Sequence, residues 1–249
     1  MLGLGVGTRT EEEFHFSPTD ISNLALWLKN GVGVAVEQWD DSSGNDYHAT
    51  QGTADEQAAL SGGGLDFDGT DDSYTIVVPA PDLKIIMSAN HNIAVGVVFY
   101  ADAANARNFL ADSNSEFFQI ETTKKIKIKM GGTITRMTNT GGTNLFDSAA
   151  GVQSLVITRL DGSTGTWKMY RNGIDVEDLS GFSAWLNQAN PKQIDFDIFG
   201  AGASNGYFDG KIYEVVVYDL GTGTLTTQEV TDLNDYLTGK FGIGDQHAL

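Results

Sequence analysis

Apolar and polar positions alternate along this chain in short runs, and the runs are separated by turn-forming residues at close intervals. Lys125-Ile126-Lys127-Ile128-Lys129-Met130 alternates strictly, which predicts a half-buried antiparallel strand whose lysines also discourage edge-to-edge pairing. Leu24 to Leu28 and Ile93 to Tyr100 are continuous apolar runs and predict strands buried on both faces, with Phe117 to Ile120 a candidate partner of the second. Further strands are predicted at Leu65–Gly69, Tyr74–Val78 (stopped by Pro79 and Pro81), Ser154–Leu160, Trp167–Tyr170, Gln193–Phe199 and Tyr207–Asp219. Asn172-Gly173 is the strongest hairpin signal.

One helix is predicted, near the C-terminus. Thr226 and Glu229 form a capping box, Val230, Leu233 and Leu237 form an apolar stripe, and Gly239 is placed to end it in the left-handed conformation. A dozen or so short strands with hardly any helix predict an all-β fold: a two-sheet antiparallel jelly-roll sandwich with a short C-terminal helix and an extended N-terminal arm. The expected organisation is an arm over 1–22, in which Ser17-Pro18-Thr19-Asp20 marks a turn or helix start, a sandwich over 23–243 and a tail over 244–249.

Charge narrows the partners. The 249 residues carry 15 basic and 33 acidic side chains, a formal net charge of −18. Such a surface repels phosphate backbones, so no nucleic-acid partner is expected. The apolar opening Met1 to Gly7 lacks a basic flank and is too short for a signal sequence or a membrane span, so no membrane partner is expected either. Cysteine is absent, which excludes disulfides and thiolate metal sites.

Candidate chemistry is sparse. His15, His48, His91 and His247 are scattered, and no Ser-His-Asp set can be assembled. No cofactor is required by any motif. Calcium is the one candidate ion, with Asp40, Asp41 and Asp46 in one acidic turn, joined by Asn45, and Asp68, Asp71 and Asp72 in another. Trp27 and Trp167 fall in strand patterns and are expected in the core, whereas Trp185 lies between strands and is the candidate sugar-stacking aromatic.

Several stretches carry a family likeness. Leu65-Asp66-Phe67-Asp68-Gly69-Thr70-Asp71-Asp72, the hairpin Gly165 to Gly173 and the closing segment Phe208 to Ile243 resemble the concanavalin A-like (laminin G-like) jelly rolls. The opening Leu24-Ala25-Leu26-Trp27-Leu28 with Trp39 to Asn45 is similar to microbial and viral members, and Met1-Leu2-Gly3-Leu4-Gly5 resembles the start of structural proteins from tailed bacteriophages. Hydrolases of this fold carry E-x-D-x-E along one strand. The nearest counterpart here is Gln193-Ile194-Asp195-Phe196-Asp197, where a glutamine stands in the nucleophile's place.

The resemblance therefore implies a non-enzymatic virion structural protein, a capsid decoration or tail-associated subunit localised to the virion. It would be anchored to other virion proteins, in a homo- or hetero-oligomeric assembly, through Leu2, Leu4 and Val6 of the arm. The alternative is a carbohydrate-binding module or adhesin that holds glycans through Trp185 or calcium.

Overall fold

The computed structural model describes residues 16–76, 85–87, 92–102, 107–112, 116–120, 126–130, 133–137, 151–161, 166–175, 192–194 and 207–243. Its first half contains β1 (Leu24–Leu28), β2 (Gln38–Trp39), β3 (Ala49–Thr50), β4 (Ala59–Ser61), β5 (Gly64–Asp68), β6 (Thr75–Ile76), β7 (Ile85–Met87), β8 (Asn92–Ala101), β9 (Arg107–Asp112) and β10 (Glu116–Ile120). There follow β11 (Ile126–Met130), β12 (Thr133–Met137), β13 (Gln153–Asp161), β14 (Thr166–Arg171), β15 (Ile174–Asp175), β16 (Lys192–Ile194), β17 (Asp209–Gly221) and the helix α1 (Thr227–Lys240).

An eight-stranded antiparallel sheet runs β15-β14-β13-β8-β17-β5-β4, and β1 joins it by pairing with the far half of β17. At 13 residues β17 is long enough to serve two neighbours on one side, β5 through Asp209–Ile212 and β1 through Val215–Tyr218. A four-stranded sheet runs β12-β11-β10-β9, and a smaller one runs β2-β3-β6. Leu110 and Phe118 of the four-stranded sheet meet Val95, Val97, Phe99, Leu155, Val215 and Val217 of the large sheet in one core, the inner layer of the sandwich.

The opposite face of the large sheet is also buried. Ala94, Val98, Val156, Val216 and Tyr218 pack beneath Val230, Leu233 and Leu237 of α1. Burial on both faces is why β8 reads as an unbroken apolar run instead of alternating. Gly96 of β8 makes the helix fit, because a Cβ there would lie 2.9 Å from Leu237 Cδ1. The helix begins as its sequence dictates: Thr226 accepts from the Glu229 N–H and Glu229 accepts from the Thr226 N–H.

Several expectations hold and several change. The strands at Leu24–Leu28, in the Leu65 region, over Ile93–Tyr100 and at Ser154–Leu160 are present, as is the Asn172-Gly173 hairpin. Phe117 to Ile120 does not pair with β8. It pairs with β9 and β11, because β8 is already flanked by β13 and β17, and Phe118 reaches it across the core instead. The lysine-bearing β11 lies between β10 and β12, so its lysines guard no edge. Gly239 does not end the helix. The helix continues to Lys240, and Gly242 takes the left-handed conformation at φ 60°, donating to the Gly239 carbonyl.

Of the expected arm, residues 16–22 are described, and Ser17-Pro18-Thr19-Asp20 forms a capped 3-10 turn against the body. Ile21 is buried, Tyr218 donates its hydroxyl to the Pro18 carbonyl at 2.9 Å, and Phe16 packs edge-on against Tyr236. Trp27 is buried as expected. Leu2, Leu4, Val6, Trp185, Asp195 and Asp197 lie outside the described residues, as does the side chain of Trp167.

Candidate functional site

Asp41 is a structural hub. Its carboxylate accepts from the Trp27 N–H (2.9 Å), the Ser43 N–H (2.9 Å), the Ser43 hydroxyl (2.6 Å) and the Tyr47 N–H (3.1 Å). Asn45 adds two donations from Nδ2, to the Leu24 and Ala25 carbonyls at 3.1 and 2.9 Å. The turn-rich segment after Trp39 is thus tied to β1 by side chains, which is how a polar loop is held where no strand ladder reaches it. Asp40 accepts from Gln38 Nε2 at 2.5 Å, and Asp46 is exposed with φ 61°. The structure does not gather Asp40, Asp41 and Asp46 around one point, and the Asp41 oxygens are already filled by four donors.

His48 joins this turn, which spacing did not reveal. Its Nδ1 accepts the Asp41 N–H at 3.0 Å. Ser43, His48 and Asp41 are therefore neighbours, but the serine hydroxyl donates to the aspartate, not to the imidazole, and no activated nucleophile results.

The second acidic turn does converge. Asp68, Asp71 and Asp72 each offer a carboxylate oxygen, and these oxygens lie within 4.8 Å of one another. Two oxygens at roughly 2.4 Å from one calcium ion can be up to about 4.8 Å apart, so no pair in the set is too widely separated to share a single hard cation. Asp72 is buried and accepts the Asp68 N–H at 2.8 Å, while Asp68 accepts the Thr70 N–H at 2.7 Å. Burial raises the Asp72 pKa above its ordinary value, and the neighbouring carboxylates of Asp68, Asp71 and Asp66 push the same way against the backbone hydrogen bond. A bound cation would relieve that repulsion.

Glu214 gave no signal in the sequence beyond its place in the closing strand. It is fully buried, and it accepts from Trp27 Nε1 (2.8 Å), the Tyr236 hydroxyl (2.7 Å) and Lys240 Nζ (2.5 Å). Both of its oxygens are engaged, so this acid fastens β1 and α1 to β17. Burial, followed by the adjoining Glu214, pushes the Tyr236 hydroxyl far above its ordinary pKa.

An open cleft of about 680 Å³ lies where the 31–40 loop faces β4 and the Gly62-Gly63 turn, lined by Gly31, Gly33, Glu37, Asp40, Leu60 and Gly63 among others. The exposed large hydrophobics among the described residues are Val32 (43%), Val36 (36%) and Leu60 (58%), and all three belong to the segments that form this cleft.

No protein-family model matches the chain, and no curated protein matches it in sequence. Solved structures do. The Trypanosoma rangeli sialidase in complex with 2,3-difluoro-KDN is similar at a TM-score of 0.61 and 13% identity, over 91% of this chain and 34% of that one. The binding domain of Paraclostridial Mosquitocidal Protein 1 is similar at 0.60 and 15%, over 88% and 53%. The binding domain of botulinum neurotoxin DC, in complex with rat synaptotagmin II, is similar at 0.55 and 13%, over 89% and 52%. The chain spans about a third of the sialidase and about half of the toxin chains it matches. Enzymes and binding domains stand together among these neighbours, and at such identities no activity carries over. What the similarity establishes is the fold, an antiparallel β-sandwich.

Proposed function

We propose that this chain is a non-catalytic binding and assembly module, a β-sandwich subunit of a tailed-phage virion that decorates the capsid or forms part of the tail apparatus. The observation that carries the non-catalytic reading is the use made of its buried acids. The buried carboxylates of Asp41 and Glu214 are surrounded by donors that fix a loop and a helix. General acid–base work needs a carboxyl free to reach a substrate proton. Leu60, the most exposed large hydrophobic among the described residues, instead lines an open cleft, a feature suited to recognition.

Placement in a virion rests on the resemblance of the Met1–Gly5 opening to structural proteins of tailed phages, beside that of Leu24–Leu28 and Trp39–Asn45 to microbial and viral jelly rolls. Deletion of residues 1–16 tests it: the truncated chain is expected to be lost from particles, and normal occupancy would remove the anchoring role.

A second reading, a carbohydrate-binding module, is favoured by the sialidase neighbour, which is seen with a sugar acid analogue bound. Glycan binding that disappears in Trp185→Ala or on chelation would support it, and silence across a broad glycan panel would remove it.

A further inference from the structure

The cleft between the 31–40 loop and β4 carries negative charge that no cation among the described residues offsets. Glu37 and Asp40 line it. Glu37 is exposed and its carboxylate pairs with no cation among those residues. Near Asp40 lies His48, with Nδ1 at 3.7 Å. That nitrogen accepts the Asp41 N–H, so it holds no proton and the imidazole is neutral. Gln38 Nε2 donates to Asp40 at 2.5 Å, which orients the carboxylate without neutralising it.

The rest of the wall is largely backbone. Gly31, Gly33, Gly62, Gly63 and Gly64 all line the cleft. Gly33 is required where it stands: at φ 61°, its Cβ would fall 2.4 Å from Asp40 Oδ2, so only glycine lets that carboxylate lie against the loop. A wall without side chains admits another backbone closely. Leu60 and Ser61 also line the cleft, and both belong to β4, the terminal strand of the large sheet among the described residues. Leu60 is 58% exposed, although its ladder partner Leu65 is buried.

We infer that this cleft receives an extended, basic segment of a partner protein. Lysine or arginine side chains of that segment meet Glu37 and Asp40, and an apolar side chain rests on Leu60. The inference rests on the binding-module reading above and gives the module's partner its chemistry. Charge complementarity selects the class, since an acidic segment is repelled both by the cleft and by a chain of net charge −18. A neutral glycan would leave both carboxylates uncompensated. A metal ion needs converging oxygens, and among the described residues the set of three that converges is Asp68, Asp71 and Asp72, outside this cleft. An extended peptide supplies the cation, the apolar contact and a backbone that can run along the terminal strand.

Fluorescence anisotropy with the full chain and a blocked heptapeptide of alternating valine and lysine tests this. The peptide is expected to bind at least about tenfold more tightly than its valine–glutamate counterpart, and than spermine, which has comparable charge but no peptide backbone. Glu37→Gln/Asp40→Asn should weaken binding about tenfold, and Leu60→Ser should weaken it several-fold. Asp46→Asn/Asp102→Asn removes as much charge from exposed acids outside the cleft and should change affinity less than about twofold. Equal weakening by the two double variants would show only the general field of an acidic protein and would overturn the inference. So would spermine matching the peptide, or no peptide binding at millimolar concentration. Binding of cellohexaose that Leu60→Ser abolishes, with no peptide binding, would assign the cleft to a glycan instead. Failure of the virion reading is seen separately, as absence of the protein from purified particles, and would leave peptide binding intact. A missing peptide complex in a protein found in particles would overturn only the cleft's assignment.

Discussion

Lys240 Nζ sits 2.5 Å from Oε2 of Glu214, a carboxylate with no exposed surface, and so the last turn of α1 is fastened to the middle of β17. The other oxygen of that carboxylate takes the Trp27 and Tyr236 donors. Removing one charge of such a pair leaves the other buried and under-compensated, which costs more than removing both. Lys240→Met is expected to destabilise the protein by about 2 kcal/mol, and the double variant Glu214→Gln/Lys240→Met by less. Urea denaturation of the two singles and the double gives the coupling. Strict additivity would show that the pair does not act as a unit.

Asp41 makes a sharper case, because its four donors come from three segments of backbone and one hydroxyl. Asp41→Ala strands several of these donors and should cost roughly 3 kcal/mol or more. Asp41→Asn, which keeps one acceptor oxygen, should cost less. Thermal denaturation of both variants ranks them, and the alanine variant must be the weaker.

For Asp72 the sign of the pH effect follows from its raised folded pKa. Between the unfolded value of 3.8 and the folded one, the native state holds the proton more tightly. The group's stabilising contribution is therefore full below 3.8 and is lost as pH rises through the folded value. Asp72→Asn keeps an acceptor for the Asp68 N–H without the charge. It should be more stable than the parent at neutral pH, and the gap should close on acidification.

Calcium reverses that comparison if the three aspartates hold it. Added calcium should raise the parent's Tm in proportion to RT ln(1 + [L]/Kd) and leave Asp71→Asn/Asp72→Asn unmoved. A parent Tm indifferent to millimolar calcium or to chelator would exclude a calcium site there.

Tyrosine ionisation reports the core. Burial pushes Tyr74 up to about 12, and Tyr218 and Tyr236 are raised further. Each holds its proton longer folded than unfolded, so stability should fall as pH rises above about 10. Spectrophotometric titration should show some tyrosines ionising only together with unfolding. A single smooth titration of all of them below pH 11 would contradict their burial.

Much of the fold was legible because its physics is local. Strand periodicity, the Asn172-Gly173 turn and the Thr226/Glu229 box each follow from a few neighbouring residues. Pairing was not legible: nothing near Phe117 says that it joins β9 and β11, since that depends on which strands already flank β8. The helix runs past Gly239 to Lys240, with Gly242 as the left-handed residue, because Lys240 and Phe241 find partners in Glu214 and Tyr213, contacts remote in sequence. At the candidate sites, the Asp68-Asp71-Asp72 turn was visible as a short acidic cluster. Asp41's role as a hub was not, because beyond its local Ser43 donors it takes the Trp27 N–H of β1 and the Tyr47 N–H. Neither was Glu214, whose partners lie up to 187 residues away.

The account turns on assembly in place of catalysis. Quantitative mass spectrometry of purified phage particles tests it most directly. The account predicts that this chain is present at a fixed, stoichiometric copy number. Its absence from particles would contradict that claim.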